Sequence, residues 1–150
     1  MKLTIIFFSF LTLAISHTPK ASEQTSSFSG PDGITIHFKS GRPNANESLM
    51  SSIDNFSKSA LEKNIEILKR HPQLRVELLG FTDDRECSGK YCHELSTRRV
   101  QRVLDWILSN GIPRNSVVKA EGKSTDMPIG DNKTEEGRAI NRRVEFNLSL

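Results

Sequence analysis

The chain is poor in cysteine: Cys87 and Cys92 are the only two in 150 residues. That excludes a multi-disulfide scaffold and a four-cysteine zinc site. No apolar run is long enough to cross a membrane, apart from a short one at the N-terminus. A Ser/His/Asp constellation, a zinc motif and a Gly-rich phosphate loop are all missing, so the sequence does not point to an enzyme or to a cofactor. Asp83 and Glu86 could be named as paired carboxylates for acid–base work, but acidic residues in a loop read as solvated. There is no internal repeat. The balance of 21 basic to 18 acidic residues, with 26% charged and 35% hydrophobic, lies well away from the disordered extreme. A formal charge of +3 is too small to demand a nucleic-acid partner. The length fits one small domain.

What is present begins with a targeting segment. Lys2 precedes an apolar run from Leu3 to Ile15, interrupted by Thr4, Ser9 and Thr12. A short positive region, an apolar core and small residues at Ala14 and Ser16 describe a secretory signal peptide over 1–16, cut between Ser16 and His17. An uncleaved anchor is the alternative. The segment holds no cysteine, so no lipid is expected there. Loss of Lys2 leaves 20 basic against 18 acidic residues, a balance of +2. Residues 17–32, rich in Ser, Thr, Gly and Pro, read as a flexible linker.

Export changes the reading of the cysteines. In an oxidising compartment Cys87 and Cys92 are expected to pair across a loop that contains Gly89. A loop this small stabilises by roughly 2 kcal/mol in the chain-entropy model. A metal site of Cys87, Cys92 and His93 is the sharper alternative, and it lacks a fourth ligand.

From Gly33 the pattern becomes regular. Ile34, Ile36 and Phe38 alternate with Thr35, His37 and Lys39, a strand with one buried face and an exposed His37. After Gly41, Pro43 and Asn44 a helix is expected, started by an Asn44/Glu47 capping box or by Asn46. Its stripe is Leu49, Ile53, Phe56 and Ala60, then Leu61, Ile65 and Leu68, and it ends at His71-Pro72. Leu74, Val76 and Leu78 form a second strand, closed by Gly80. A loop over Thr82–His93 precedes a second helix from about Leu95 to Asn110, with an apolar stripe of Val100, Val103, Leu104, Ile107 and Leu108. Gly111 and Pro113 stop it. A third strand centres on Val118 and Ala120. Thr134 caps a short helix that carries Glu135 and Glu136 in its first turn, and Val144, Phe146 and Leu148 make the last strand. The order strand, helix, strand, helix, strand, short helix, strand fits a two-layer α+β sandwich.

Polar residues concentrate at two strand ends: Thr82, Asp83 and Asp84 after the second strand, and Arg138, Asn141, Arg142 and Arg143 before the last. Arg98 and Arg102 share the polar face of the second helix with Asp105. Arg99 lies at the edge of the buried stripe, with its fork near the preceding loop. From spacing, an internal Asp83–Arg99 salt bridge is expected.

These residues carry a resemblance. Gly80-Phe81-Thr82-Asp83, then Leu95-Ser96-Thr97-Arg98-Arg99-Val100, Gly111-Ile112, and Asn132 through Glu145 with its Asn141-Arg142-Arg143 core resemble the OmpA-like peptidoglycan-binding domain over roughly 33–150. The resemblance implies a βαβαββ fold and a ligand, the meso-diaminopimelate of the peptidoglycan stem peptide. The free end of that ligand is a zwitterion, which a carboxylate and a guanidinium match by charge-assisted hydrogen bonds. By position, Asp83 corresponds to the aspartate for the ammonium, Arg99 to the arginine for the carboxylate, and Arg142 to a supporting contact. The sequence departs from the common pattern at Phe81, at Phe38-Lys39-Ser40-Gly41, at Cys92, and in a loop between Asp83 and Leu95 that is one residue longer. Glu86-Cys87 and Cys92 match a variant of that loop, and the cystine reads as a replacement brace. The implied function is non-catalytic attachment to the cell wall in the periplasm, near the outer membrane, of a Gram-negative-type bacterium. The alternative is a structural part of an envelope assembly, with outer-membrane or envelope proteins as partners. Asn-x-Ser/Thr triplets at Asn46, Asn55, Asn132 and Asn147 are chance matches in a chain of this composition.

Overall fold

The computed structural model describes residues 33–150, so the expected leader over 1–16 and linker over 17–32 lie outside the described residues. Four strands and four helices follow in the order β1 (Ile36–His37), α1 (Leu49–Ser52), α2 (Asn55–Arg70), β2 (Arg75–Gly80), α3 (Lys90–Ser109), β3 (Val117–Gly122), α4 (Glu135–Asn141) and β4 (Arg143–Ser149). The sheet runs β1-β4-β2-β3. β2 and β3 are parallel, joined through α3, and end in register at Gly80 and Gly122. β4 is antiparallel to both its neighbours, with Val144 opposite Ile36 and Phe146 opposite Leu78. This is the expected α+β sandwich. Apolar residues of α2, α3 and the inner strand faces make one core, with Leu61, Val76, Leu78, Val103, Ile107 and Val144 completely enclosed.

Several elements differ from the sequence reading. The first long helix is two helices. Ser48 caps α1 and Asp54 caps α2, accepting from Ser57 N, while Ile53 between them is extended. Ile53 bridges to Phe38, and Lys39 N donates to Ser52 O at 2.9 Å. Breaking the helix there carries Ile53, 1% exposed, into the core. The restart shifts the helical frame, and Phe56 stands out at 68% exposed instead of joining the stripe. Asn44 and Glu47 form a turn, with Glu47 Oε2 accepting from Asn44 N at 3.0 Å, and not a helix start.

β1 is short because side chains satisfy its flanks. Asn64 on α2 accepts from Ile34 N and donates to Ile34 O, both at 2.7 Å, and Ser57 Oγ accepts from His37 N. His37 is half-buried rather than exposed, and burial pushes its pKa down. α3 begins at Lys90, a turn earlier than expected. Its first turn is mostly polar and exposed, so the apolar period does not register it. On β3, Val118 is 60% exposed, while Val117 and Gly122 are the buried positions. β3 is an edge strand, and one neighbour does not impose the strict alternation of an inner strand. As expected, Thr134 caps α4 by accepting from Gly137 N at 3.0 Å.

Candidate functional site

Asp83 in the loop after β2, Arg99 on the following helix α3 and the distant Arg142 at the end of α4 meet at one end of the sheet. Gly80 ends β2 there, and the chain turns into a loop that lies over α3. Two charge pairs are built at that place, and neither is the expected one.

Arg99 pairs with Glu86, not with Asp83. Its Nη1 and Nη2 donate to the two carboxylate oxygens of Glu86, each at 2.7 Å. The remaining donors go to backbone carbonyls: Nε to Arg42 at 2.8 Å, Nη1 to Phe81 at 2.8 Å and Nη2 to Lys39 at 3.4 Å. All the N–H groups of the guanidinium fork are thereby engaged. The Phe38 ring lies beneath it, 5.1 Å from Cζ to centroid. Glu86 also accepts from two backbone amides, Gly41 N at 2.7 Å and Asp83 N at 3.2 Å. Both side chains of the pair are 0% exposed.

Asp83 pairs with Arg142. Asp83 Oδ2 accepts from Arg142 Nη1 at 2.8 Å, and Oδ1 accepts from the amides of Arg85 and Glu86 at 2.7 and 2.8 Å. Arg142 reaches on to Glu135 Oε1 at 2.7 Å and to Phe38 O. Arg143 lies over the Phe81 ring at 3.9 Å and bonds Glu145. The Phe81 departure thus supplies an aromatic face for a buried cation. Asn141 ties the loop before α4, accepting from Ile129 N and Gly130 N at 2.8 Å each.

Asp83 and Glu86 are therefore buried acceptors, not solvated loop residues. Burial disfavours charge on Asp83, yet the Arg142 bond and the two amides outweigh it and hold the carboxyl below its usual range. A depressed carboxylate stabilises the fold fully above its unfolded pKa of about 3.9, and that stability is lost as pH falls through the lower folded value. Urea unfolding of Asp83→Asn is accordingly expected to show a shallower loss of stability below pH ~4 than wild type. Parallel acid limbs would mean that Asp83 is not a source of the acid sensitivity.

The other arginines of α3 are not free on a polar face. Arg98 Nη1 donates to Pro43 O at 3.1 Å, and Arg102 donates to Glu47 O at 3.0 Å and Ala45 O at 2.5 Å. With Arg99 they clamp the turn over residues 42–47 onto the helix. Cys87 and Cys92 are bonded, with Cα atoms 5.0 Å apart, so neither thiolate is available for the alternative metal site with His93. Among the described residues no group of three or more His, Cys, Asp or Glu side chains could hold a metal ion.

The residue that sequence reasoning missed is Glu86. The signal was partial: a half-buried arginine needs a carboxylate, and the preceding loop offers Asp83, Asp84 and Glu86. Spacing alone cannot choose among side chains a few residues apart in an irregular loop.

Residues 48–142 match the OmpA family model. Outer membrane porin F of Pseudomonas aeruginosa is 31% identical over 129 residues, 79% of this chain and 36% of that protein. Peptidoglycan-binding protein ArfA of Mycobacterium bovis is 37% identical over 79 residues, 53% of this chain and 24% of that protein. The chain thus spans about a third and about a quarter of these two relatives. Among solved structures, the C-terminal domain of Helicobacter pylori MotB is similar at a TM-score of 0.62 and 26% identity, covering 79% of this chain and 86% of that one.

Proposed function

The chain belongs to the OmpA family, and on that premise we propose that it is a non-catalytic module that binds peptidoglycan in the bacterial periplasm. The carrying observation is the convergence of Asp83, Arg99 and Arg142 at one end of the sheet, linked by their shared contacts with the loop that holds Glu86. The name of the mycobacterial relative, a peptidoglycan-binding protein, supports the same reading.

The ligand in this proposal is the free end of meso-diaminopimelate in the stem peptide. Asp83 receives the ammonium, Arg99 the carboxylate, and Arg142 orients Asp83. A bidentate guanidinium–carboxylate contact next to a carboxylate–ammonium contact reads both charges of one zwitterionic carbon. Export by the 1–16 segment and a tether over 17–32 would place the domain, 33–150, at the wall near the outer membrane. No helix among the described residues is long and apolar enough to cross a membrane.

Co-sedimentation of the protein with diaminopimelate-type sacculi tests this. Wild type is expected to pellet with the wall. Asp83→Asn and Arg99→Lys, each checked for folding, are expected to lose at least tenfold in retention, because one loses its charge and the other its fork. Retention by lysine-type wall is expected to be weak, since lysine lacks the second carboxylate. Equal retention of folded variants and wild type would sink the assignment. Absence of any retention would turn attention to protein partners within an envelope assembly.

A further inference from the structure

Arg99, the group assigned to an incoming carboxylate, already holds one. The Glu86 carboxylate receives four donors from three separate segments: Arg99 Nη1 and Nη2 on α3, Gly41 N in the turn after β1, and Asp83 N after β2. Two guanidinium N–H groups and two amides aimed at a pair of oxygens make a cradle shaped for a free carboxylate. We propose that Glu86 is a built-in occupant of the ligand's carboxylate place, so that a wall carboxylate binds by displacing it. The proposal rests on the reading of Arg99 given above and adds the residue that sets access and affinity.

Placement in the chain supports displacement over a purely internal role. The Glu86 side chain is 0% exposed, yet the loop carrying it lies at the surface, with Asp84, Arg85, Ser88 and Gly89 exposed. Movement of this segment would take Glu86 off Arg99 and leave the guanidinium its contacts to the carbonyls of Lys39, Arg42 and Phe81. The disulfide opposes that movement. Cys87 directly follows Glu86, and Cys92 stands about two helical turns before Arg99 on the same buried side of α3. The bond therefore tethers Glu86 to the helix that carries its partner. Breaking the tether by Cys87→Ser with Cys92→Ser leaves Glu86 present and frees it to leave.

The test uses chemical rescue first. Glu86→Ala keeps Cβ and removes the CH2–carboxylate end of the side chain, leaving a space that acetate matches. Its melting temperature is expected to fall, and tens of millimolar acetate are expected to raise it by several degrees more than chloride at equal ionic strength. Wild type should show no such difference. Equal response of variant and wild type would overturn the carboxylate cradle. Should Glu86→Ala not fold, Glu86→Ser, which also removes the carboxylate and leaves most of the same space, carries the comparison. The second arm titrates free meso-diaminopimelate into wild type, Glu86→Gln and the double serine variant. Both variants are expected to bind at least tenfold more tightly than wild type, and in wild type the Gly41 and Asp83 amide signals are expected to shift on saturation. Wild-type binding at least as tight as both variants, with those amides unmoved, overturns the displacement proposal and leaves the wall reading intact. Acetate rescue without diaminopimelate binding by any form supports the cradle and overturns the wall reading instead.

Discussion

Arg99→Ala is expected to cost about 3–5 kcal/mol of folding stability, the range for leaving one member of a buried ion pair without its partner. The size follows from enclosure. Arg99 and Glu86 are both 0% exposed, so water cannot replace the lost guanidinium. The change also strips donors from the carbonyls of Lys39, Arg42 and Phe81. It therefore loosens the turn after β1 as well as the loop after β2. Urea unfolding of Arg99→Ala, Glu86→Ala and the double variant separates these effects. The double variant is expected to be less destabilised than the sum of the singles, because neither buried charge is then left alone. Additive costs would show that the two side chains stabilise the fold independently.

Gly80→Val is expected to be the second most damaging change, through overpacking. A Cβ built at Gly80 would meet Ser96 O at 2.5 Å and Val100 Cγ2 at 2.6 Å, both on α3. One of these atoms is backbone, so relief requires moving the helix from the sheet. Inserted groups of this kind cost typically about 1–3 kcal/mol, and valine should exceed alanine at this position. Gly89→Ala is the contrast: nothing lies within 4 Å of its Cβ, and only its φ of +52° resists the change. Thermal unfolding of Gly80→Ala, Gly80→Val and Gly89→Ala orders the three, and a Gly80→Val protein as stable as wild type would contradict the packing argument. Displacing α3 also displaces Arg99, so the same substitution is expected to weaken any ligand that this arginine holds.

Gly80 illustrates how far local pattern reaches. Its place at the end of an alternating strand is legible, because strand period and glycine punctuation are properties of adjacent residues. Its closeness to α3 is not, since that depends on how the helix returns over the sheet. The same division runs through the other elements. The order of strands and helices, the Thr134 cap and the apolar stripes of α2 and α3 follow from spacing within one or two turns. Ile53 and Phe56 escape that logic. A helical stripe continued through them until the bridge to Phe38 broke the helix and turned Phe56 to solvent.

The site divides in the same way. By itself the sequence marked Asp83, Arg99 and Arg142 as charged residues in motifs readable from neighbouring positions, and left Glu86 as one of several acidic residues in a loop. Only the tertiary structure decided the pairing: Arg142, 59 positions away, reaches Asp83, and Arg99 is left to Glu86. The physical reason is that a charge can be assigned to a loop from local pattern, whereas its partner depends on sheet register and helix docking. Those bring together segments that have no local relation in the chain.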